Sequence, residues 1–268
     1  MPSLHLTEYA AEATLLCLYM LSACTCTTLL HHPASPVSRH IRSPIARRFI
    51  TAIAMGLTGI ALIYSPLGQR SGAHMNPATT LTYFLLAKIK PLDATFYILA
   101  QFLGGLTGVL LARLLLRGAS AHPAINHAPT QPGLRTRPRL WAFLAELLLP
   151  FGMMTMVLHC TNTASLAPYT GLFAGSLVAI YIALEAPVSG MSMNPARTLA
   201  SAIPARSYRA LWIYFTAPIL GMLLAAFIFA TTPTHHIYCA KLNHEGDAPC
   251  IFNCEINRLP GRHASHTN

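Results

Sequence analysis

Acidic residues are scarce in this chain. There are eight Asp and Glu in 268 residues, and all charged residues together make up 10%. A soluble chain of this length carries about 25% charged residues. Too little charge is present to cover a water-facing surface, which excludes an ordinary acid-rich soluble enzyme. Disorder is excluded too, since it requires low hydrophobicity, and here 53% of residues are apolar with a mean hydropathy of +0.47. The N-terminus, MPSLHLTEY, lacks the basic residues that open a cleaved leader, so the first apolar run is expected to stay in the protein. No metal-ligand pair and no nucleophile with its base stands at helix spacing within the apolar runs, so a membrane enzyme is not expected.

What the chain has instead is apolar length. A bilayer core needs roughly 20 mostly apolar residues in a helix. Six runs supply them, at about 9–30, 48–66, 94–116, 140–160, 169–188 and 210–231. The formal net charge is +10, yet the basic residues do not form one patch. They cluster between the runs, as Arg39, Arg42, Arg47 and Arg48, then Arg135, Arg137 and Arg139, then Arg206 and Arg209. That is the pattern of charge at a lipid headgroup surface, and no nucleic-acid partner is expected. Gly104 and Gly108, like Gly171 and Gly175, stand four apart, a spacing that suits close helix approach or is simply tolerated in a span. The two long connections, 31–47 and 117–139, are expected to be surface loops.

Two further apolar stretches, near 74–87 and 194–204, are too short to span. They begin alike: SGAHMNPATTL from Ser71 and SGMSMNPARTL from Ser189 agree at eight of eleven positions. A second match pairs YILAQFLGG from Tyr97 with YFTAPILGM from Tyr214, and a weaker one pairs Ala11-Glu12 with Ala145-Glu146. The chain is a duplication. Its expected parts are a first repeat over 1–118, a connecting loop over 119–139, a second repeat over 140–232 and a tail over 233–268. Each repeat holds three spans. An odd number forces the halves to enter the membrane in opposite orientations, so the repeat is inverted about an axis in the membrane plane.

Asn-Pro-Ala starts helices. Asn is a favoured N-cap, and Pro fits the first turn because its missing N–H is not needed there. Asn76-Pro77-Ala78 and Asn194-Pro195-Ala196 therefore each open a short helix, with Gly72 and Gly190 giving the backbone room to turn beforehand. Two facing helix N-termini place about half a positive charge each at the centre. Both Asn amides can donate hydrogen bonds there. Such a centre repels cations and interrupts the donor-to-acceptor water chain along which protons move.

These paired boxes, followed by Arg197, resemble the aquaporin (major intrinsic protein) family, and Glu12, Gln101 and Glu146 also match its pattern. The resemblance covers about residues 8–232. It implies an all-α membrane protein with six transmembrane helices and two half-helices in an inverted-repeat, aquaporin-like fold. It further implies one pore per subunit, a homotetramer and passive conduction, with no cofactor. It puts Arg197 at an outer constriction together with Met55, Ile182 and Met191, which are assigned by spacing. That set departs from the family, whose water-selective members usually have an aromatic and a His, and whose glycerol channels usually have two aromatics. Thr198, Ala202 and the pair Tyr214-Phe215 depart from the glycerol pattern. The expected solute is water, with glycerol, ammonia or hydrogen peroxide as small neutral alternatives.

Glu12 and Glu146 allow two readings. They are a relay in a proton-coupled transporter, or carboxylates that accept backbone N–H groups of the non-helical loops beside them; the resemblance favours the second. His74 is expected to line the inner vestibule or hold its loop, and Glu185 to sit in water at the outer mouth. Cys239, His244, Cys250 and Cys254 offer soft ligands in a polar tail, but their spacing matches no standard zinc finger, so a metal, a disulfide and reduced thiols all stay open and no metal is assigned. The resemblance implies a multi-pass cell-membrane protein with both termini cytoplasmic. This puts the arginine-rich loops outside, against the positive-inside rule.

Overall fold

The computed structural model describes residues 4–133, 139–244 and 249–261; Arg135 and Arg137 lie outside them. The described residues form ten α-helices and no strand. In order these are α1 (Leu6–His31), α2 (Pro36–His40), α3 (Pro44–Tyr64), α4 (Pro66–Ser71), α5 (Pro77–Leu85), α6 (Pro91–Leu115), α7 (Leu140–Thr161), α8 (Thr170–Ser189), α9 (Pro195–Ala205) and α10 (Leu211–Thr231). Six of them, α1, α3, α6, α7, α8 and α10, are long and apolar enough to cross a membrane. Leu57, Leu103, Leu148, Leu184 and Phe227 are each at least 60% exposed. Exposed large side chains at this density face lipid or another subunit, since water would disfavour them.

The duplication governs the packing. In the first half α1 lies against α6; in the second α7 lies against α10. A Cβ at Gly104 would meet the Ala13 carbonyl at 2.1 Å, and one at Gly221 would meet the Leu147 carbonyl at 2.2 Å. Only hydrogen fits at either crossing, and both crossings occupy matching places in the two repeats. The halves join through α3 and α8. Gly56 abuts Gly175 and Ala179, whereas Gly171 abuts Ile63 and Tyr64, so these helices run antiparallel. Gly108 and Gly175 likewise meet backbone carbonyls, so the four-residue glycine spacings serve helix contact rather than mere tolerance.

The half-helices begin where helix-start chemistry puts them. Asn76 and Asn194 have extended backbones and cap α5 and α9, Oδ1 of Asn76 accepting from the Ala78 N–H and Oδ1 of Asn194 from those of Ala196 and Arg197. Gly72 and Gly190 close α4 and α8 in the left-handed conformation, at φ +91° and +86°.

Two expectations need correction. The connection after α6 is not merely a surface loop, because Ser120, His127 and Thr130 are buried. The tail is not a polar appendage either. Ile237, Cys239, Ala240, Leu242 and Phe252 join the main apolar core. Local composition misled in both places, because a few buried side chains in an irregular segment leave no periodic signal.

Candidate functional site

The loops ahead of the two half-helices are strained in the same way. Ala73 and Met75 in the first, and Met191 and Met193 in the second, all take positive φ, between 48° and 56°. Such conformations cost of order 1–3 kcal/mol each and persist only when their surroundings impose them. The buried carboxylates supply that constraint. Glu12 accepts from Ser71 Oγ at 2.8 Å, the His74 N–H at 3.0 Å, the Met75 N–H at 2.7 Å and Gln101 Nε2 at 2.8 Å. Glu146 accepts from Ser189 Oγ at 2.6 Å and from the Ser192 and Met193 N–H groups at 2.7 Å. Tyr97 and Tyr214 complete the correspondence, donating their hydroxyls to the carbonyls of Ser71 and Ser189. All of these partners except Gln101, whose counterpart is Pro218, are repeated in the other half.

The two loops then lock to each other. Asn76 Nδ2 donates to the Met193 carbonyl at 2.8 Å, and Asn194 Nδ2 donates to the Met75 carbonyl at 2.7 Å. A carboxamide nitrogen carries two hydrogens, so each asparagine uses one to hold the opposite loop and keeps one. Both asparagines line a cavity of about 120 Å³, several times the ~10–15 Å³ that one water needs. Its wall is mostly apolar, with Met75, Val178, Met191 and Met222 among the contributors.

Arg197 lies at the same cavity, and its Nη1 donates to Thr130 Oγ1. Nothing in a Pro- and His-rich loop marks Thr130 as an arginine's partner. Met191 also lines the cavity. Met55 and Ile182 are buried but lie outside its wall, each one helical turn from a residue that lines it, Gly59 and Val178 respectively. Glu185 is half-buried rather than in open water, and its Oε1 accepts the Ser189 N–H at 2.8 Å.

His74 lines the same cavity. Its ring lies between Tyr83 and Phe252, stacked on both at 5.3 and 5.4 Å. Nδ1 pairs with Thr80 Oγ1 at 3.1 Å and Nε2 with the Ala240 carbonyl at 2.8 Å. His74 therefore holds the tail as well as its loop, and Leu242 from the tail reaches the cavity wall.

The tail also gathers its soft side chains. One ligand atom from each of Cys239, His244, Cys250 and Cys254 lies within 4.8 Å of all the others. Burial alone would lower the His244 pKa, but hydrogen bonds with Cys250 and Cys254 outweigh it and push it up to about 9. Hydrogen bonds from Cys239 and Cys250 hold the Cys254 thiol well below its usual range. His235 and His236 stand apart from this group, His235 stacked on Phe229 and His236 paired with Glu255.

Fold and site together define a class: a polytopic helical membrane protein in which an inverted repeat brings two half-helix ends together at one cavity. The family model described as Major intrinsic protein matches residues 3–229, and the chain belongs to that family. It is 37% identical to Aquaporin NIP2-1 of Zea mays over 198 residues, covering 72% of this chain and 64% of that protein. It is 30% identical to Nodulin-26 of Glycine max over 179 residues, covering 66% and 63%. The chain thus spans less than two thirds of the length of either. The solved aquaglyceroporin from Plasmodium falciparum has the same fold, with a TM-score of 0.68 over 85% of this chain and 97% of that one, at 18% identity.

Proposed function

We propose that this chain is a passive channel for water that excludes ions and protons. The observation that carries the reading is the crossed pair of asparagines. Each has one amide hydrogen fixed and one left for the cavity, where the ends of α5 and α9 meet. A water at that point would find two donors and the positive ends of two helix dipoles. It must turn its oxygen toward them, which breaks the directional chain that proton hopping requires. Cations are repelled by the same field.

The filter in this reading comprises Arg197, Met191, Met55 and Ile182. The antiparallel packing of α3 and α8 supports it, because Gly56, next to Met55, abuts Ala179, which is one turn from Ile182. A rim of two methionines and an isoleucine favours a second solute class beside water. It offers one hydrogen-bonding group, and flexible methionines tolerate varied shapes, so small neutral solutes such as glycerol, ammonia or hydrogen peroxide would pass more slowly.

The proposed assembly is a homotetramer in the cell membrane with both termini cytoplasmic, made of two repeats (1–118 and 140–232), a connecting loop and a tail. Stopped-flow light scattering on proteoliposomes tests the function. Fast osmotic water flow, slower glycerol flow and no proton current are expected. Flow that requires an ion gradient would replace this reading with a coupled transporter working through Glu12 and Glu146.

A further inference from the structure

The segment after α10 poses a physical problem. Between residues 232 and 261 the described backbone holds a single short 3-10 turn and no other regular element. Even so, Cys239, Ala240 and Leu242 are buried in the core, and Phe252 stacks on His74. An irregular chain loses much conformational entropy on ordering, and small irregular units commonly need a disulfide or a metal to stay folded. The four soft donors converge where such a staple would act.

We propose that Cys239, His244, Cys250 and Cys254 bind one zinc ion, and that this ion latches the tail onto the mouth of the cavity. Three thiolates and an imidazole are a donor set that closed structural zinc sites use. The geometry is close to what the ion needs. Zn–S bonds of about 2.3 Å put neighbouring ligands of a tetrahedron roughly 3.5–3.8 Å apart. Here Cys239 Sγ and Cys250 Sγ are 3.5 Å apart, and His244 Nε2 and Cys254 Sγ are 3.2 Å apart. All four ligand atoms stay within 4.8 Å, so small side-chain rotations close the shell. A disulfide would satisfy only two of the four and leave a third sulfur and an imidazole crowded against it. The cysteines are free in this structure.

The ligands sit within the stretches that grip the channel body. Directly after Cys239, the Ala240 carbonyl pairs with His74, Lys241 Nζ donates to the Gln69 carbonyl at 2.8 Å, and the Leu242 N–H donates to the Gly72 carbonyl at 3.1 Å. Directly before Cys254, the Asn253 N–H donates to the Lys88 carbonyl at 2.9 Å. Directly after it, Glu255 pairs with Lys88 at 2.8 Å. One ion thus joins a strip that holds the loop ahead of α5 to a strip that holds the loop behind it. Its loss would free both, and Leu242 would leave the cavity wall.

Full-length protein, purified through a tag that binds no metal and kept under mild reducing conditions, provides the test. Elemental analysis should find about one zinc per chain, and less than a tenth of that in Cys239→Ser and Cys254→Ser. Should these variants fold poorly, the wild type alone still decides. Exchange into cobalt(II) should give the intense visible absorption and thiolate charge-transfer band of a tetrahedral, sulfur-rich site. Chelation should then raise amide hydrogen exchange at least tenfold in residues 238–243 and 69–74. Absence of metal together with failure to take up zinc or cobalt overturns the proposal, as does a disulfide between two of these cysteines in the native protein. Unchanged exchange after complete metal removal overturns the latch. All of these readouts are independent of which solute the channel carries.

Discussion

Asn76 and Asn194 each donate a hydrogen bond to the carbonyl of the residue that precedes the other, at 2.8 and 2.7 Å. Each also caps its own half-helix through Oδ1. One side chain type therefore starts both short helices, ties the two loops together and faces the cavity. No other residue does all three: Asp has no donor for the opposite loop, and Ser is too short to cap and reach across.

Replacing Asn76 with Asp keeps the cap but sets a carboxylate oxygen against the Met193 carbonyl. Loss of a buried hydrogen bond with an acceptor left unpaired costs about 1–3 kcal/mol, and like-signed partial charges add to that. Thermal denaturation in detergent should show a less stable protein, and water permeability per folded channel should fall at least tenfold. A variant with normal stability and flow would remove the paired donors from the account.

Arg197 is held by Thr130, so the two should behave as a unit. Arg197→Ala should let larger or charged solutes leak, while Thr130→Val should give a milder version of the same change because the guanidinium loses its support. Comparing urea and ion permeability with water permeability in the same vesicles checks both. If neither variant alters selectivity, Arg197 does not belong to the filter.

Glu12→Gln separates the two readings of the buried carboxylates. Four donors converge on Glu12, two on each oxygen, and a carboxamide must turn its own N–H₂ toward two of them. A stability loss of about 1–3 kcal/mol follows, with water flow per folded channel largely retained. A proton relay would give the opposite pattern, a stable protein that has lost proton-coupled flux.

The matched crossings at Gly104 and Gly221 should respond alike. An added methyl group would overlap the Ala13 or the Leu147 carbonyl, and overpacking of this kind costs typically 1–3 kcal/mol. Gly104→Ala and Gly221→Ala should each shorten the thermal half-life in detergent by a similar factor. A marked difference between them would show that the repeats have ceased to be equivalent in packing.

Much of this molecule was legible in advance, because the signals were local. Apolar runs of bilayer length gave the six spans, Asn-Pro-Ala gave the helix starts, and the count of three spans per repeat gave the inversion. For Glu12 and Glu146 the residues left two readings, a relay and support of the non-helical loops, and only the family resemblance favoured the second. Thr130 was not legible, and neither was the docking of Ala240 and Leu242 on the loop between Gly72 and His74.

The order of residues alone dictates how often the chain crosses the membrane, where each half-helix starts and which halves correspond. Those follow from hydrophobic length and capping chemistry, which act between near neighbours in the chain, and from repetition, which shows directly in the order of residues. Packing between distant segments set Leu242 of the tail in the cavity wall, brought four tail side chains to one point and made each asparagine hold the other's loop. The tail and asparagine contacts join residues more than a hundred positions apart; the four tail ligands stand within 15 positions of one another, but irregular backbone gives their convergence no periodic signal.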